Sequence, residues 1–446
     1  MVVGAGGCGM VASLAAAEQG ARVVLLEKTG RPGGNTAMSQ GMIPAAGTRF
    51  QSQAGIHDSP ELMAQDIFRK NNRESDAALT LLLCAQSKHL VEWLVDVIGI
   101  DLRLVTEFAY PGHTRFRMHA PPTWTGQSLV ADLVEAVRER DKILVALNTP
   151  VRSLVTDDHG DVVGVIAGTE AGERIKCRKV ILALNGFGAN PDMIRQYCPT
   201  IATAIYHNHP GNTGDGIEWG TQLGAALENM GAFQGHASVS YPDNIMVTWA
   251  VMMSGGILVN RDGNRFGDET KDYSAYALDV LDQPEGLAFD IFGEESYEIA
   301  AKGSEFQELM RTQAIKKAGT IEELAGSLNI DGQNLERTIG DYNLARSSGG
   351  DTFGRTDFGS SLSTPLFGIQ VTAALFHTQG GLRVDSRARL LRSNGDVVPN
   401  LYAGGGTAVG ISGSGPAGYL SGNGLLTALG WGKIAGEDAA RTILGL

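Results

Sequence analysis

The chain has 446 residues, a formal net charge of -13 at pH 7 and a hydrophobic content of 43%. That length allows two domains, or one large domain with an insertion. The acidic balance argues against nucleic acid and anionic membranes as partners. No apolar run is long enough to cross a membrane, and no signal peptide precedes the first predicted strand.

The four cysteines, Cys8, Cys84, Cys177 and Cys198, show no C-x-x-C spacing. They are typical of reduced thiols in a cytosolic protein, so we expect a cytoplasmic location and no metal site. The sequence begins almost inside its first strand, and we therefore expect a few residues to be missing before Met1.

The first stretch predicts a dinucleotide site. Gly4, Gly6 and Gly9 form G-x-G-x-x-G between a short apolar strand and an alanine-rich helix, Val11–Gln19. Gly4 permits the tight turn, Gly6 lets the backbone approach a pyrophosphate, and Gly9 lets helix and strand pack closely. The helix N-terminus offers N–H groups and a positive dipole end to phosphates. A second buried strand ends at Glu27, where an acidic residue hydrogen-bonds a ribose hydroxyl.

The glycine-rich loop 31–41 follows, and we interpret it as a second loop that embraces the cofactor rather than a plain surface loop. Apolar residues at helical spacing predict helices over 60–68, 76–97 and 127–140. The segment 110–119 gathers two His, two Arg and a Tyr. It could line an active site, and a solvated loop fits it equally well.

Strands are predicted over 142–147, 151–156, 162–168 and 180–184, the middle two as a β-meander. The segment 185–190 after the last strand lacks a third glycine and a following strand with an acid. A second nucleotide site, for a nicotinamide, is therefore not predicted. Residues 212–216 open a helix whose N-terminus suits an anion.

The composition of the chain changes around Ala232. A strand over 256–259 and helices over 320–327 and 334–345 follow, with Thr320 and Glu323 as a capping box. The chain then returns to strands over 368–373 and 400–403. A final helix, about 424–443, begins after glycine-rich sequence, where its N–H groups could bond a flavin carbonyl oxygen.

The motifs in this order resemble the FAD-dependent fumarate reductase/succinate dehydrogenase flavoprotein superfamily, which includes the 3-ketosteroid dehydrogenases. They comprise G-x-G-x-x-G, Glu27-Lys28, 33–36 (GGNT), 213–216 (TGDG), 256–260 (GILVN) with Arg265-Phe266 and Glu269, 377–381 (HTQGG) and 401–405 (LYAGG). The resemblance implies an α/β fold: a Rossmann-like FAD-binding domain, 1–231 and 377–446, with an inserted α+β capping domain, 232–376. It also implies chemistry between flavin N5 and a carbon–carbon bond next to a carbonyl or carboxylate.

The resemblance implies non-covalent FAD, because the flavin-linking histidine of the respiratory enzymes is absent from 35–41. Gly406 stands where several members carry a glutamate beside the ribityl chain. The predicted cofactor-binding residues are Gly4, Gly6, Gly7, Gly9, Glu27, Lys28, Gly34, Asn35, Thr36, Ser39, Gly41, Val151, Gly186, Asp215, Gly405, Gly406, Asn423, Gly424, Leu425 and Leu426.

The chain departs from the fumarate reductases where they place charge. Tyr273 stands at the position of their proton-donating arginine, and Tyr419 at that of an arginine that holds the substrate carboxylate. Trp249 and Met252 replace the glutamate and arginine of their proton relay. A dicarboxylate needs fixed positive charge nearby, and tyrosines at these two positions are similar to the ketosteroid dehydrogenases.

Desaturating a ketone needs a base for the α proton and donors for the carbonyl oxygen. We predict Tyr273 as the proton-transfer residue, with Tyr419 and His377 orienting the carbonyl. His236 matches the capping-side histidine of fumarate reductases and is a fourth candidate. A tyrosine base, with an ordinary pKa of about 10, needs help from neighbouring groups.

Two alternatives remain open. A fumarate reductase-like enoate reductase would need Arg115, Arg117 or Arg383 to hold the carboxylate. A flavin electron carrier without catalysis is a different class of protein, and His377 and Tyr273 argue against it. The electron acceptor is a quinone, another flavoprotein, a dye or oxygen, because no haem motif or nicotinamide site is seen.

Overall fold

A computed structural model describes residues 1–168 and 172–446. The strands are β1 (Val2–Val3), β2 (Val23–Leu26), β3 (Ile43–Pro44), β4 (Arg103–Leu104), β5 (Met118–Ala120), β6 (Ile143–Ala146), β7 (Val151–Thr156), β8 (Val162–Ala167), β9 (Glu173–Lys176), β10 (Val180–Leu182), β11 (Ile205–Tyr206), β12 (Leu227–Glu228), β13 (Phe233–Ser240), β14 (Ile257–Val259), β15 (Leu287–Phe292), β16 (Lys316–Ala318), β17 (Leu366–Thr378), β18 (Gly381–Leu382), β19 (Arg389–Leu391) and β20 (Val397–Ala403).

The α-helices are α1 (Gly7–Glu18), α2 (Gly34–Ala37), α3 (Arg49–Gln53), α4 (Pro60–Lys70), α5 (Ala77–Trp93), α6 (Gly126–Arg138), α7 (Pro191–Tyr197), α8 (Asp215–Gln222), α9 (Ala250–Met253), α10 (Tyr276–Leu281), α11 (Glu294–Ala300), α12 (Ser304–Thr312), α13 (Ile321–Leu328), α14 (Gly332–Ser348) and α15 (Asn423–Leu444). A π-helical turn, Leu94–Ile98, extends α5. Within the described ranges, no helix is both long and apolar enough to cross a bilayer.

The first sheet has the strand order β19-β20-β10-β1-β2-β6. Its strands run parallel except β19, which pairs antiparallel with β20 at one edge. The crossover α1 connects β1 to β2, as the motif at the start of the chain predicts. This parallel sheet with its crossover helix, together with a second, mostly antiparallel sheet, confirms the predicted α/β class and its Rossmann-like part.

Helix α1 is buried along almost its whole length because α15 packs directly on it. A Cβ at Gly432 would lie 2.5 Å from Cys8 O, and a Cβ at Gly436 would lie 2.3 Å from Ala12 O. Only glycine allows the two backbones to approach this closely. The last helix is thereby fixed against the first.

A second sheet carries most of the middle of the chain, in the order β11-β17-β15-β14, with β13 and β16 also paired to β17. The long strand β17 belongs to this sheet and ends at Thr378. There Thr378 Oγ1 accepts from Phe187 N, in the loop that follows β10 of the first sheet. Strand β11, at 205–206, joins the second sheet although it precedes the predicted insertion 232–376. The domain limits given above stay a prediction.

Several predicted elements differ in detail. Helix α1 begins at Gly7 rather than Val11, because the glycine turn leads straight into it. Strand β17 is longer than the predicted 368–373, since its pairing with β13 and β15 continues to both ends. The capping box at α13 is half formed: Thr320 Oγ1 accepts from Glu323 N, but Glu323 Oε2 accepts from Gly319 N. The four cysteines are free thiols, as predicted.

The α1–α15 contact makes a testable prediction. Replacing Gly436 by alanine forces a methyl group against the Ala12 carbonyl, and overpacking of this kind costs about 1–3 kcal/mol. Gly340→Ala in α14 is the control, because an added Cβ there meets nothing within 4 Å. We expect it to leave stability unchanged or to raise it by about 0.5–1 kcal/mol. Urea unfolding of both variants measures the difference, and equal midpoints would contradict the proposed packing constraint.

Candidate active site

A large cleft runs along the carboxyl ends of the parallel strands and under the second sheet. Ligands bind at this edge in open parallel sheets. Most of the predicted cofactor residues line it: Gly4, Gly6, Gly7, Glu27, Lys28, Gly34, Asn35, Thr36, Ser39, Val151, Asp215, Gly405, Gly406, Gly424 and Leu425.

The N-terminal glycines have the backbone geometry that the motif predicts. Gly4 turns with φ +100° and donates from its N–H to Leu26 O at 2.8 Å. A Cβ at Gly9 would lie 1.8 Å from Gly4 O, so only glycine fits between helix and strand. A Cβ at Gly6 would have one neighbour, Gly33 O at 3.7 Å, which leaves that backbone open to the cleft. The start of α1 therefore faces the cleft with accessible backbone.

Two charged residues at the end of β2 are held in place. Glu27 accepts hydrogen bonds at 2.9 Å from the N–H groups of Ala5 and Thr29. Lys28 Nζ donates to Gly211 O at 2.6 Å and lies 3.3 Å from Asp215 Oδ2. The lysine thus ties β2 to the loop before α8. Its charge is matched, so it is not a free cation in the cleft.

The polar groups of the cleft fit the dinucleotide that the resemblance implies. Asn35 Oδ1 accepts from Asn212 Nδ2 at 2.5 Å, whereas its own buried Nδ2 has no partner among the described residues. Helix α15 begins at Asn423 after Gly422 (φ +84°) and has no side-chain cap. Its first turn can therefore donate to a bound oxygen. Glu27, Asn35 and the first turns of α1 and α15 would hold FAD.

Five predicted cofactor residues lie behind the lining instead. Three of them are glycines at which an added Cβ would collide with a neighbour. The Cβ would meet Gly4 O at Gly9, Thr125 O at Gly41 and the Thr378 hydroxyl at Gly186. Leu426 is a fully buried core residue. Asn423 is buried and donates to Ser412 Oγ at 3.2 Å. These residues shape the cleft through packing, because the motif pattern marks a segment and not which atoms face inward.

The cleft also contains residues that the sequence did not single out as site residues. They are Cys8, Gln40, Tyr110, Thr149, Asn185, His209, Asn212, Gln234, Met246, Phe376, Gln379 and Ser421. Tyr110 lies in the segment 110–119, whose unusual composition was the available signal. Gln379 is the variable position of HTQGG. Cys8, Gln40 and Asn212 lie inside the glycine motif, the loop 31–41 and the segment 212–216, which the sequence analysis marked without naming these side chains. The remaining residues come from distant parts of the chain.

Four aromatic rings meet at the end of the cleft under the second sheet. Tyr273 and Tyr419 have ring centroids 6.3 Å apart, and His377 and Tyr419 lie 5.5 Å apart, both edge to face. Tyr110 lines the same end and donates to Gln40 Oε1. The structure therefore brings together three of the four predicted catalytic residues, Tyr273, Tyr419 and His377.

The local backbone and one ion pair hold Tyr273 in position. Ala237 N donates to Tyr273 O at 3.1 Å, which fixes the loop before α10 to β13. The preceding Asp272 forms a salt bridge with Lys70 of α4, with Nζ and Oδ2 2.8 Å apart. Ser421 Oγ donates to Tyr273 Oη at 3.0 Å. The phenol thus has contacts from both parts of the chain.

Burial sets the protonation states of this end. It raises the pKa of Tyr273 well above the ordinary tyrosine value, an effect that the hydrogen bond from Ser421 opposes. Burial also raises the pKa of Tyr419, and lowers the pKa of His377 to about 4. All three groups are neutral near neutral pH, so they can donate hydrogen bonds without bringing charge.

His236 does not line the cleft, which sets it apart from the other three candidates. Its Nε2 donates to Val247 O at 2.9 Å, and its ring stacks on Phe376 with centroids 4.9 Å apart. The edge of the ring meets Tyr273 at 5.3 Å. His236 therefore supports the wall from behind. Trp249 is likewise core, with its Nε1 donating to Glu269 O.

Among the described residues that line the cleft there is no arginine. The three arginines considered for a carboxylate are all engaged elsewhere. Arg117 is fully buried between Asp58 and Asp66, and Arg383 pairs with Glu228. Arg115 donates to the backbone oxygens of residues 57 and 114. The positions of these arginines therefore do not support the enoate reductase alternative, which needs one of them to hold a carboxylate.

Comparisons with known proteins agree with the fold and the cleft. A family model described as FAD binding domain matches residues 1–425. The chain is 33% identical to a probable fumarate reductase, Ifc3, of Shewanella frigidimarina, over 100% of this chain and 75% of that protein.

Two solved structures are similar over nearly the whole chain. The open conformation of a flavocytochrome c3 fumarate reductase has a TM-score of 0.83 at 31% identity and covers 99% of this chain and 78% of its own. The 3-ketosteroid-Δ4-(5α)-dehydrogenase from Rhodococcus jostii RHA1, in complex with 4-androstene-3,17-dione, has a TM-score of 0.76 at 27% identity and covers 98% and 96%. The family predicted from the motifs is thereby confirmed. The chain belongs to the FAD-dependent fumarate reductase/succinate dehydrogenase flavoprotein superfamily and is an FAD-dependent oxidoreductase.

Proposed function

We propose that this enzyme desaturates, or in reverse reduces, the α,β carbon–carbon bond of a neutral carbonyl compound, as a 3-ketosteroid dehydrogenase-like protein. The observation that carries the proposal is the substrate end of the cleft, built from Tyr273, Tyr419, Tyr110 and His377 with no arginine among its described lining residues. FAD, held without a covalent bond, supplies the hydride acceptor or donor when bound.

The absence of fixed positive charge there selects the substrate class. Carboxylate binding at a buried site depends on bidentate arginine or a comparable cation. The neutral phenols and imidazole of this site instead match a ketone oxygen, which needs donors and carries no charge in the ground state. The methionines and phenylalanine of the wall, Met42, Met118, Met246 and Phe376, suit a bulky apolar body such as a ring system.

In this proposal Tyr419 and His377 hold the carbonyl oxygen. A Cβ at Gly424 would lie 3.0 Å from His377 Nε2 and 3.6 Å from Tyr419 Oη, so the glycine keeps open the space that both groups reach. Two neutral donors aimed at one oxygen stabilise the negative charge that grows on it when the α proton leaves. This contribution acidifies the α carbon.

Tyr273 is the proton-transfer residue of the proposal. In the dehydrogenation direction its phenolate accepts the α proton, and in the reducing direction its phenol returns a proton to the same carbon. Ser421 Oγ, 3.0 Å from Tyr273 Oη, donates to the phenolate and lowers the cost of forming it. His236 then has the lesser role of supporting the Tyr273 ring.

An enoate reductase is the second candidate, favoured by the 33% identity to a probable fumarate reductase. It would require a carboxylate to bind among tyrosines and a neutral histidine. The electron acceptor, whether a quinone, another flavoprotein, a dye or oxygen, and the cytoplasmic location stay predictions.

Anaerobic titration of the yellow holoprotein tests the substrate class. We expect cyclic ketones, including a 3-ketosteroid, to bleach the oxidised flavin band, and succinate or a substituted succinate to leave it unchanged. The reason is that the substrate end offers neutral hydrogen-bond donors and no arginine that could pair with a carboxylate. Bleaching by a dicarboxylate alone would overturn the proposal in favour of the second candidate.

Replacing Tyr273 by phenylalanine tests its role. We expect the rate of flavin bleaching by a ketone to fall by about 10²–10⁴-fold, the usual size of a lost general base, with FAD content unchanged. Tyr276→Phe is the matched control, because Tyr276 is also buried and its hydroxyl has no partner among the described residues. Equal losses in the two variants would mean that Tyr273 acts only through packing.

The raised pKa of Tyr273 predicts a pH dependence. Below that pKa the phenolate fraction grows about tenfold per pH unit, so the rate of ketone dehydrogenation should rise with a log slope near one. The reducing direction uses the neutral phenol and should stay flat over the same range. Stopped-flow rates between about pH 6 and pH 9 measure both. A flat dehydrogenation profile would exclude a phenolate base.

A further inference from the structure

A chain of buried polar side chains leads from the back of the cleft to His377. Asn423 Nδ2 donates to Ser412 Oγ at 3.2 Å, and Ser412 Oγ donates to Gln379 Oε1 at 2.8 Å. The amide nitrogen Nε2 of Gln379 lies 2.9 Å from His377 Nδ1. Gln379, Ser412 and Asn423 are 4%, 1% and 0% exposed, so water does not compete for these bonds.

The direction of this chain fixes which nitrogen of His377 carries hydrogen. With Gln379 Nε2 donating, Nδ1 is the acceptor and the hydrogen resides on Nε2. The reverse direction would have Nδ1–H donate to Gln379 and Ser412 donate to Asn423. The two directions give His377 opposite roles toward the cleft, one as a donor and the other as an acceptor.

Asn423 decides between the two directions. As the chain stands, one buried atom of its amide, Oδ1, lacks a partner among the described residues. Reversal would pair that oxygen but leave the buried Nδ2, with its two hydrogens, without an acceptor. An orphaned buried N–H group is the rarer and costlier defect. The observed direction is therefore the more stable one.

The remaining contact of His377 Nδ1 does not change this balance. Thr378 O lies 3.5 Å away, at the limit for a hydrogen bond, whereas the Gln379 contact is 2.9 Å. At the other side of the ring, Nε2 faces the cleft beside Gly424 and has no hydrogen-bond partner in the described part of the chain.

We propose that Gln379 is a positioning residue that holds His377 as the Nε2–H tautomer, so that His377 donates to the substrate oxygen beside Tyr419. The use of that donor rests on the function proposed above, but the tautomer itself is a property of the substrate-free enzyme. Gln379 touches neither the reacting carbons nor the transferred proton; it acts through the orientation of the imidazole.

The experiment is NMR of the holoprotein labelled with 15N in histidine. It is recorded at about pH 7, where the imidazole of His377 is expected to be neutral. Long-range 1H–15N correlations distinguish the two neutral tautomers. Two buried histidines provide internal references: His236 Nε2 faces Val247 O and His119 Nδ1 faces Arg117 O, which demands opposite tautomers. The His377 signal is identified as the one that is missing from the spectrum of His377→Gln.

We expect wild-type His377 to match the His236 pattern. The ionised carboxylate of Gln379→Glu offers only acceptors, so it should convert His377 to the Nδ1–H tautomer or protonate it. Gln379→Met, of similar size, neither donates nor accepts and should give a mixture. With a bleaching ketone, the Glu variant should lose about 10²-fold in rate, as expected for one lost oxyanion donor.

An Nδ1–H tautomer in the wild type, or an unchanged tautomer in Gln379→Glu, would overturn the proposal. If no ketone bleaches the flavin while the tautomer shifts as expected, the substrate assignment fails and the positioning role stands. FAD absorbance per protein, unchanged in both Gln379 variants, shows that the holoprotein is intact.

Discussion

The site depends on one packing constraint, the contact of α1 with α15. Gly432 and Gly436 bring the last helix onto the backbone of the first, at Cys8 and Ala12. Because of this contact, the N-termini of two helices that begin more than 400 residues apart face the same cleft. The positive dipole ends and free N–H groups of both helices stabilise an anionic cofactor. The dinucleotide site is thus built jointly by the two termini of the chain.

Strand β17 connects this platform to the substrate side. It passes through the second sheet, pairs with β13 and β15, and ends at His377 and Thr378. The Lys70–Asp272 ion pair joins α4 to the loop that carries Tyr273. His377 and Tyr273, the residues proposed to act on the substrate, are therefore held by backbone pairing and by this ion pair between segments, which suits chemistry that depends on positioning.

Three arginines of this enzyme are used for structure: Arg117 is buried against two aspartates, and Arg265 and Arg355 both pair with the buried Glu269. The substrate end contains neutral donors whose protonation is fixed by burial. A site of this charge favours a neutral carbonyl compound, the substrate class proposed above.

The sequence by itself determined that the chain binds FAD, because the spacing of glycines, strand, helix and Glu27 is local and each residue type has one physical purpose there. It also determined the family, whereas the roles of Tyr273 and Tyr419 stay predictions. It did not determine which members of each motif face the cleft: Gly186 and Leu426 pack behind it, and His236 supports it. Only the tertiary structure brought Tyr110 and Ser421 to the predicted catalytic residues and turned Arg115, Arg117 and Arg383 away from the cleft. Contacts such as Ser421 with Tyr273, 148 residues apart, depend on how the sheets and helices pack, and no local pattern encodes that.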